Sequence, residues 1–198
     1  MTAEAGRPPT QARIQLGVFL SQMHWIHGPG WAELSRRTGL SVSTLQRTAR
    51  TSGPVPSEKN VIKFVEGIGD DPRAVTDAKR WWRKARIAER GRLRTLNAPA
   101  PAGVRNEADL LTALAAVYER DGAPPLRTLQ GRAGTVADSK VPVLPVTNAS
   151  RIVNRERLPT NQRQYEAFLT GCGIPEHALG PWRQAWHRAQ LAQPSPRP

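Results

Sequence analysis

The hydrophobic positions of this chain follow a helical period almost throughout. Leu16, Phe19, Leu20 and Met23 stand at i, i+3, i+4 and i+7, one apolar stripe of a helix that a Thr10 cap opens and that runs to about His27. Gly28-Pro29-Gly30 stops it. Trp31 and Leu34 then share a face opposite Arg36 and Arg37, and Gly39 supplies the left-handed residue that ends a helix cheaply. Ser41 stands where the next helix needs a cap. That helix turns Leu45 inward and leaves Val42, Ser43, Gln46, Arg47 and Arg50 outward. Beyond a loop at 51–56, Ser57 caps a helix with Val61, Ile62, Phe64 and Val65 on its buried side, stopped at Gly67 or Gly69. Asp71-Pro72 opens another helix in the cap-then-proline order, with Trp81 and Trp82 as core anchors. Its Arg83, Lys84 and Arg86 form a solvated or phosphate-facing surface. The pattern predicts an all-α protein.

The same order of elements runs again over 104–192. Leu110, Leu114 and Val117 repeat the stripe of Leu16, Leu20 and Met23. LRTLQGRAG (126–134) matches WAELSRRTG (31–39) at an offset of 95, and LPVTNASRIVN (144–154) matches LSVSTLQRTAR (40–50) at an offset of 104. AFLTGCG (167–173) matches KFVEGIG (63–69), and WHRAQLA (186–192) matches WRKARIA (82–88). Two copies of a five-helix unit are therefore expected. The domain scheme is an arm at 1–9, a first domain at 10–93, an Ala/Pro linker at 94–103, a second domain at 104–192 and a disordered tail at 193–198. The change of offset places an insertion near 135–143, between the second copy's paired helices, where a flexible loop should loosen their placement. Pro145 replaces the capping Ser41, so Thr147 is the alternative cap and would start that helix two residues later.

Charge sharpens the picture. The 29 Lys and Arg residues against 16 acidic ones leave a net charge of +13, which points to a polyanionic partner. Residues 1–100 hold 17 basic and 8 acidic residues against 12 and 8 in the remainder, so the first copy is the better candidate for phosphate contact. The single cysteine, Cys172, excludes an intrachain disulfide and suits a reducing cytosol. No apolar run approaches the roughly 20 residues of a membrane span, and the start of the chain lacks a signal-peptide core. A cytoplasmic, nucleoid-associated protein is expected.

Two short helices joined through Gly39 and a capped Ser41 make the helix-turn-helix pattern, whose second helix enters a DNA major groove. On LSRRTGLSVSTL, the PxP and LPT loops, FVxGxG and the Trp-rich last helix, each copy resembles the lambda-repressor-like, XRE-type helix-turn-helix family, closest to variants of actinobacterial regulators. The resemblance covers nearly all of 10–90 and 105–192. It implies compact all-α bundles and a transcriptional regulator that binds double-stranded DNA, usually as a dimer. It also implies that Val42, Ser43, Gln46, Arg47 and Arg50 contact bases, with Val146, Thr147, Ser150, Arg151 and Asn154 as their equivalents. Arg36, Arg37, Lys59, Arg155 and Arg157 are the phosphate candidates. The family often opens the first motif helix with a phosphate-bound Gln; Trp31 and Leu126 depart from this.

Gln suits adenine and Arg suits guanine, each bidentate pair contributing about 1–3 kcal/mol of discrimination. Two motifs in one chain could read two half-sites as a covalent pseudo-dimer, or act independently and gain through effective concentration. An enzyme is not expected: there is no Gly-rich phosphate loop, nucleophile elbow or paired carboxylate, and His24 and His27 lack metal-ligand partners, with Trp25 between them suggesting packing. No cofactor, metal or small-molecule ligand is indicated. The competing reading is a helix-turn-helix adaptor that docks another regulator, a replication factor or a defence protein, with a protein partner or self-association open beside DNA.

Overall fold

The computed structural model describes residues 9–137 and 139–192; the expected arm, apart from Pro9, and the expected tail lie outside the described residues. The described residues form α-helices and short 3-10 turns, with one isolated antiparallel bridge between Thr135 and Pro142. None of these helices is long and apolar enough to cross a membrane. Packing divides the chain into two compact units, one ending at Gly91 and the other starting at Arg92.

The first unit holds α1 (Gln11–His27), α2 (Trp31–Thr38), α3 (Val42–Ala49), α4 (Glu58–Ile68) and α5 (Pro72–Arg90). Its helix starts follow the caps read from the sequence. Thr10, Ser41, Ser57 and Asp71 each accept a backbone N–H from the first turn of the helix they precede. Leu16, Leu20, Leu34, Leu45, Val61, Phe64 and Val65 meet with Trp82 in one core. The Trp82 indole N–H donates to the Pro56 carbonyl at 2.8 Å, which ties the loop before α4 to α5. Trp81 lies at the margin, with the Lys84 ammonium 4.6 Å from its ring centre. Trp25 corrects the sequence expectation. It is 88% exposed, and the packing ring is His24, stacked on Trp31 at 3.9 Å.

The second unit holds α6 (Glu107–Arg120), α7 (Leu126–Ala133), α8 (Val146–Val153), α9 (Gln162–Gly171) and α10 (Gly180–Leu191). Leu110, Leu114, Leu129, Leu144, Ile152, Phe168, Trp182 and Trp186 form its core with Tyr165, whose hydroxyl donates to the Trp182 carbonyl at 2.9 Å. Cys172 is buried there, and burial pushes its thiol well above the ordinary range. The end of the stretch expected as a linker, Pro101–Gly103, packs on α10. Arg188 donates to the carbonyls of Pro101 at 2.7 Å and Val104 at 3.0 Å.

Both units repeat one close approach. A Cβ on Gly67 of α4 would lie 2.8 Å from Leu34 Cδ1, and a Cβ on Gly171 of α9 would lie 2.9 Å from Leu129 Cδ1. The insertion in the second unit is paired at its base. Val136 N–H donates to Val141 O at 2.8 Å and Val143 N–H to Gly134 O at 3.0 Å, so the excursion closes on itself. Leu144 then enters the core fully buried. The start of α8 also differs from the expected shift: Val146 opens it, Pro145 takes the cap position, and no side chain caps it. Proline supplies a suitable φ there without a capping oxygen.

Candidate nucleic-acid interface

The turn between α2 and α3 is fixed by local chemistry. Gly39 takes φ +67°, the left-handed conformation its position demands. Thr38 Oγ1 donates to Leu34 O at 2.8 Å and accepts from Leu40 N–H at 3.2 Å. Ser35 Oγ donates to Leu40 O at 2.7 Å, and Lys63 of α4 donates to Thr38 O at 2.9 Å. Ser41 Oγ accepts from Thr44 N–H at 3.2 Å. Leu34 and Leu45 anchor the two helices fully buried. The α2–α3 corner is therefore held by packing, a left-handed glycine and five side-chain hydrogen bonds of this kind.

This arrangement leaves one face of α3 to solvent. Ser43, Gln46 and Arg47 are exposed on it, Val42 is half-buried, and Arg50 is exposed at its end. The Arg47 guanidinium folds along its own helix, its Nε donating to Ser43 O at 3.3 Å. Beside this face lies a cleft of about 420 Å³ lined by Thr44, Arg47, Arg50, Ser52 and Asn60 together with 53–56. Thr44, Ser52 and Asn60 escaped the sequence reading. Their place beside α3 comes from the folding back of the 51–56 loop, which no helical period marks.

The phosphate candidates behave differently from one another. Arg36 and Arg37 both pair with Glu33 on α2, Arg37 at 2.9 Å, and Arg37 also reaches Gly67 O at 3.4 Å. A phosphate would have to compete with that carboxylate. Lys59, on the first turn of α4, is exposed.

In the second unit Thr147, Arg151 and Asn154 are exposed, while Val146 and Ser150 are half-buried. Arg155 and Arg157 are exposed beyond α8, with Arg155 in the left-handed region at φ +62°. This face has the polar and cationic groups expected of it but begins at an uncapped helix start beside the closed hairpin.

What the molecule presents is thus defined as to class: an all-α protein of two helical units with an exposed polar and basic helix face in each. Comparison with known protein families, with curated proteins and with solved structures finds no match.

Proposed function

We propose that this chain is a sequence-specific double-stranded DNA-binding protein, a transcriptional regulator built as two tandem lambda-repressor-like helix-turn-helix bundles. In the first, α3 enters the major groove. Gln46 and Arg47 face base edges, Ser43 and Val42 lie at the leading end, and Arg50 closes the contact. The observation that carries the reading is the exposed Ser43-Gln46-Arg47-Arg50 face on a helix whose opposite side is locked by Leu45 in the core. The net charge of +13 supports a polyanionic partner. The residues of α8 serve the same purpose more weakly.

The test is equilibrium binding of the full chain to a random-sequence duplex pool over a salt series. Engagement of about five or more phosphates predicts a steep loss of affinity with salt, and replacing both Arg47 and Arg50 by Ala should remove most of the binding. A salt-independent affinity, or a double variant that binds as well as the parent, refutes it. For the second unit an adaptor role is also favoured by one observation: the hairpin between α7 and α8 leaves the apolar Val141 of its returning arm 59% exposed.

A further inference from the structure

α3 ends differently from α8, and its exit lies against α1. Three residues of α1 spaced four apart, Arg13, Gly17 and Ser21, occupy one face and all meet the chain as it leaves α3. Ser21 Oγ donates to Ala49 O at 2.9 Å. Gly17 lies so close to the exit that a Cβ there would be 2.5 Å from Arg50 O and 2.7 Å from Thr51 Cα. Arg13 is 2% exposed, and its Nη2 lies 3.4 Å from both Arg47 O and Ser52 O. Its Nε and Nη1 are buried without a hydrogen-bond partner among the described residues. From the other side, Glu89 of α5 accepts from Val55 N–H at 2.8 Å and pairs with Arg86, holding the far end of the same loop.

The corresponding helix of the second unit lacks this cradle. At the offset of 94 that aligns Leu16 with Leu110, the three positions are Glu107, Leu111 and Ala115. There the chain closes the helix with its own backbone. Glu156 N–H donates to Arg151 O at 2.8 Å and Arg155 N–H to Ile152 O at 3.0 Å, through the left-handed Arg155. In the first unit Arg50 instead leaves extended, at φ −62° and ψ 151°. A buried guanidinium with three of its five N–H donors unsatisfied is a poor source of stability. Burial lowers its pKa, opposed by the charge of Glu89. Its use here lies in where it holds Arg47 and Ser52.

We infer that Arg13, Gly17 and Ser21 are positioning residues that set the extended exit of α3 and so aim Arg47 and Arg50 at DNA. The inference rests on the DNA reading for its consequence, but the cradle itself is testable without DNA. The experiment uses the full chain with Gly17→Ala, Ser21→Ala, Arg13→Met and Arg13→Lys, with Lys59→Ala, at an exposed phosphate candidate, as the direct-contact reference. Each is measured against a labelled duplex recovered from the random pool, over a salt series, and by amide hydrogen exchange.

Gly17→Ala and Arg13→Met should weaken binding about tenfold or more while leaving the salt slope unchanged, because neither residue reaches a phosphate. Arg13→Lys should recover part of the loss. Lys59→Ala should instead reduce the slope by about one. Exchange at the Arg50 amide should quicken about tenfold in Gly17→Ala and Arg13→Met, with the α4 amides unchanged. Unaltered exchange at Arg50 in both variants overturns the cradle whatever DNA does. Quickened exchange with unchanged affinity, or a slope that falls as in Lys59→Ala, overturns the positioning role. A parent chain that binds no duplex sinks the DNA reading and with it the positioning role, while the exchange result decides the cradle.

Discussion

Replacing Gly67 by Ala should destabilise the first unit, although Ala is the better helix former. The site lies in the last turn of α4, where the added methyl would stand 2.4 Å from Thr38 Cγ2 and 2.8 Å from Leu34 Cδ1. Neither neighbour can step aside freely. Thr38 is held in its rotamer by hydrogen bonds to Leu34 O and from Leu40 N–H, and Leu34 is fully buried in the core. Overpacking of this kind costs about 1–3 kcal/mol, and contacts this short belong at the upper end. The gain in helix propensity returns about 1 kcal/mol. The net loss is about 2 kcal/mol. In a unit of this size, that should lower the melting temperature of the first unit by roughly 8–16 °C. Circular dichroism melting, with hydrogen exchange at the α4 amides to assign the unit, reads the effect. An unchanged or raised melting temperature would show that α2 and α4 are not in close contact, and the account of the α2–α3 corner would lose its backing.

Other outcomes follow from the second unit. Gly131→Ala, inside α7 with open space around the added methyl, should stabilise that unit by about 0.5–1 kcal/mol, read as a higher urea midpoint; a fall would mean the site is crowded. Arg155→Gly relieves a non-glycine residue at φ +62° and should stabilise by about 1 kcal/mol in the same assay, even though it removes a candidate phosphate contact. The hydrogen bond from Arg183 holds the Glu166 carboxyl down to about 2. A depressed carboxyl stabilises the fold above its unfolded pKa and loses that contribution as pH falls through the folded value. Melting temperature should therefore drop between about pH 4.5 and 2. Glu166→Gln should flatten that part of the profile, and an unchanged profile would remove the bridge from the account.

Much of the helical frame was legible because its signals are local. Thr10, Ser41, Ser57 and Asp71 each sit directly before an apolar period, and Gly39 sits directly after one, so capping chemistry alone places the boundaries. The start of α8 is not legible in this way, because the proline at its cap position carries no capping oxygen and Thr147, two residues on, does. Trp25 misled for another reason: aromatic character predicts burial on average, but its exposure depends on which helices lie beside α1. The exposed residues of α3 followed from the helical period once Leu45 was placed inward. The pairing of Arg36 and Arg37 with Glu33 was within reach at spacings of three and four on one helix. The α1 cradle was not marked by apolar period. Its one signal was that Arg13 is the sole Lys, Arg, Asp or Glu among the 17 residues of α1, an odd placement in so basic a chain.

Whether the exposed face of α3 reads bases is decided by selecting bound duplexes from a random pool with the parent chain and with Arg47→Ala. A base-reading α3 yields a motif that relaxes at one or two base pairs in the variant, the rest of the motif persisting. Recovery of the same motif by both proteins, or of none by the parent, would contradict it.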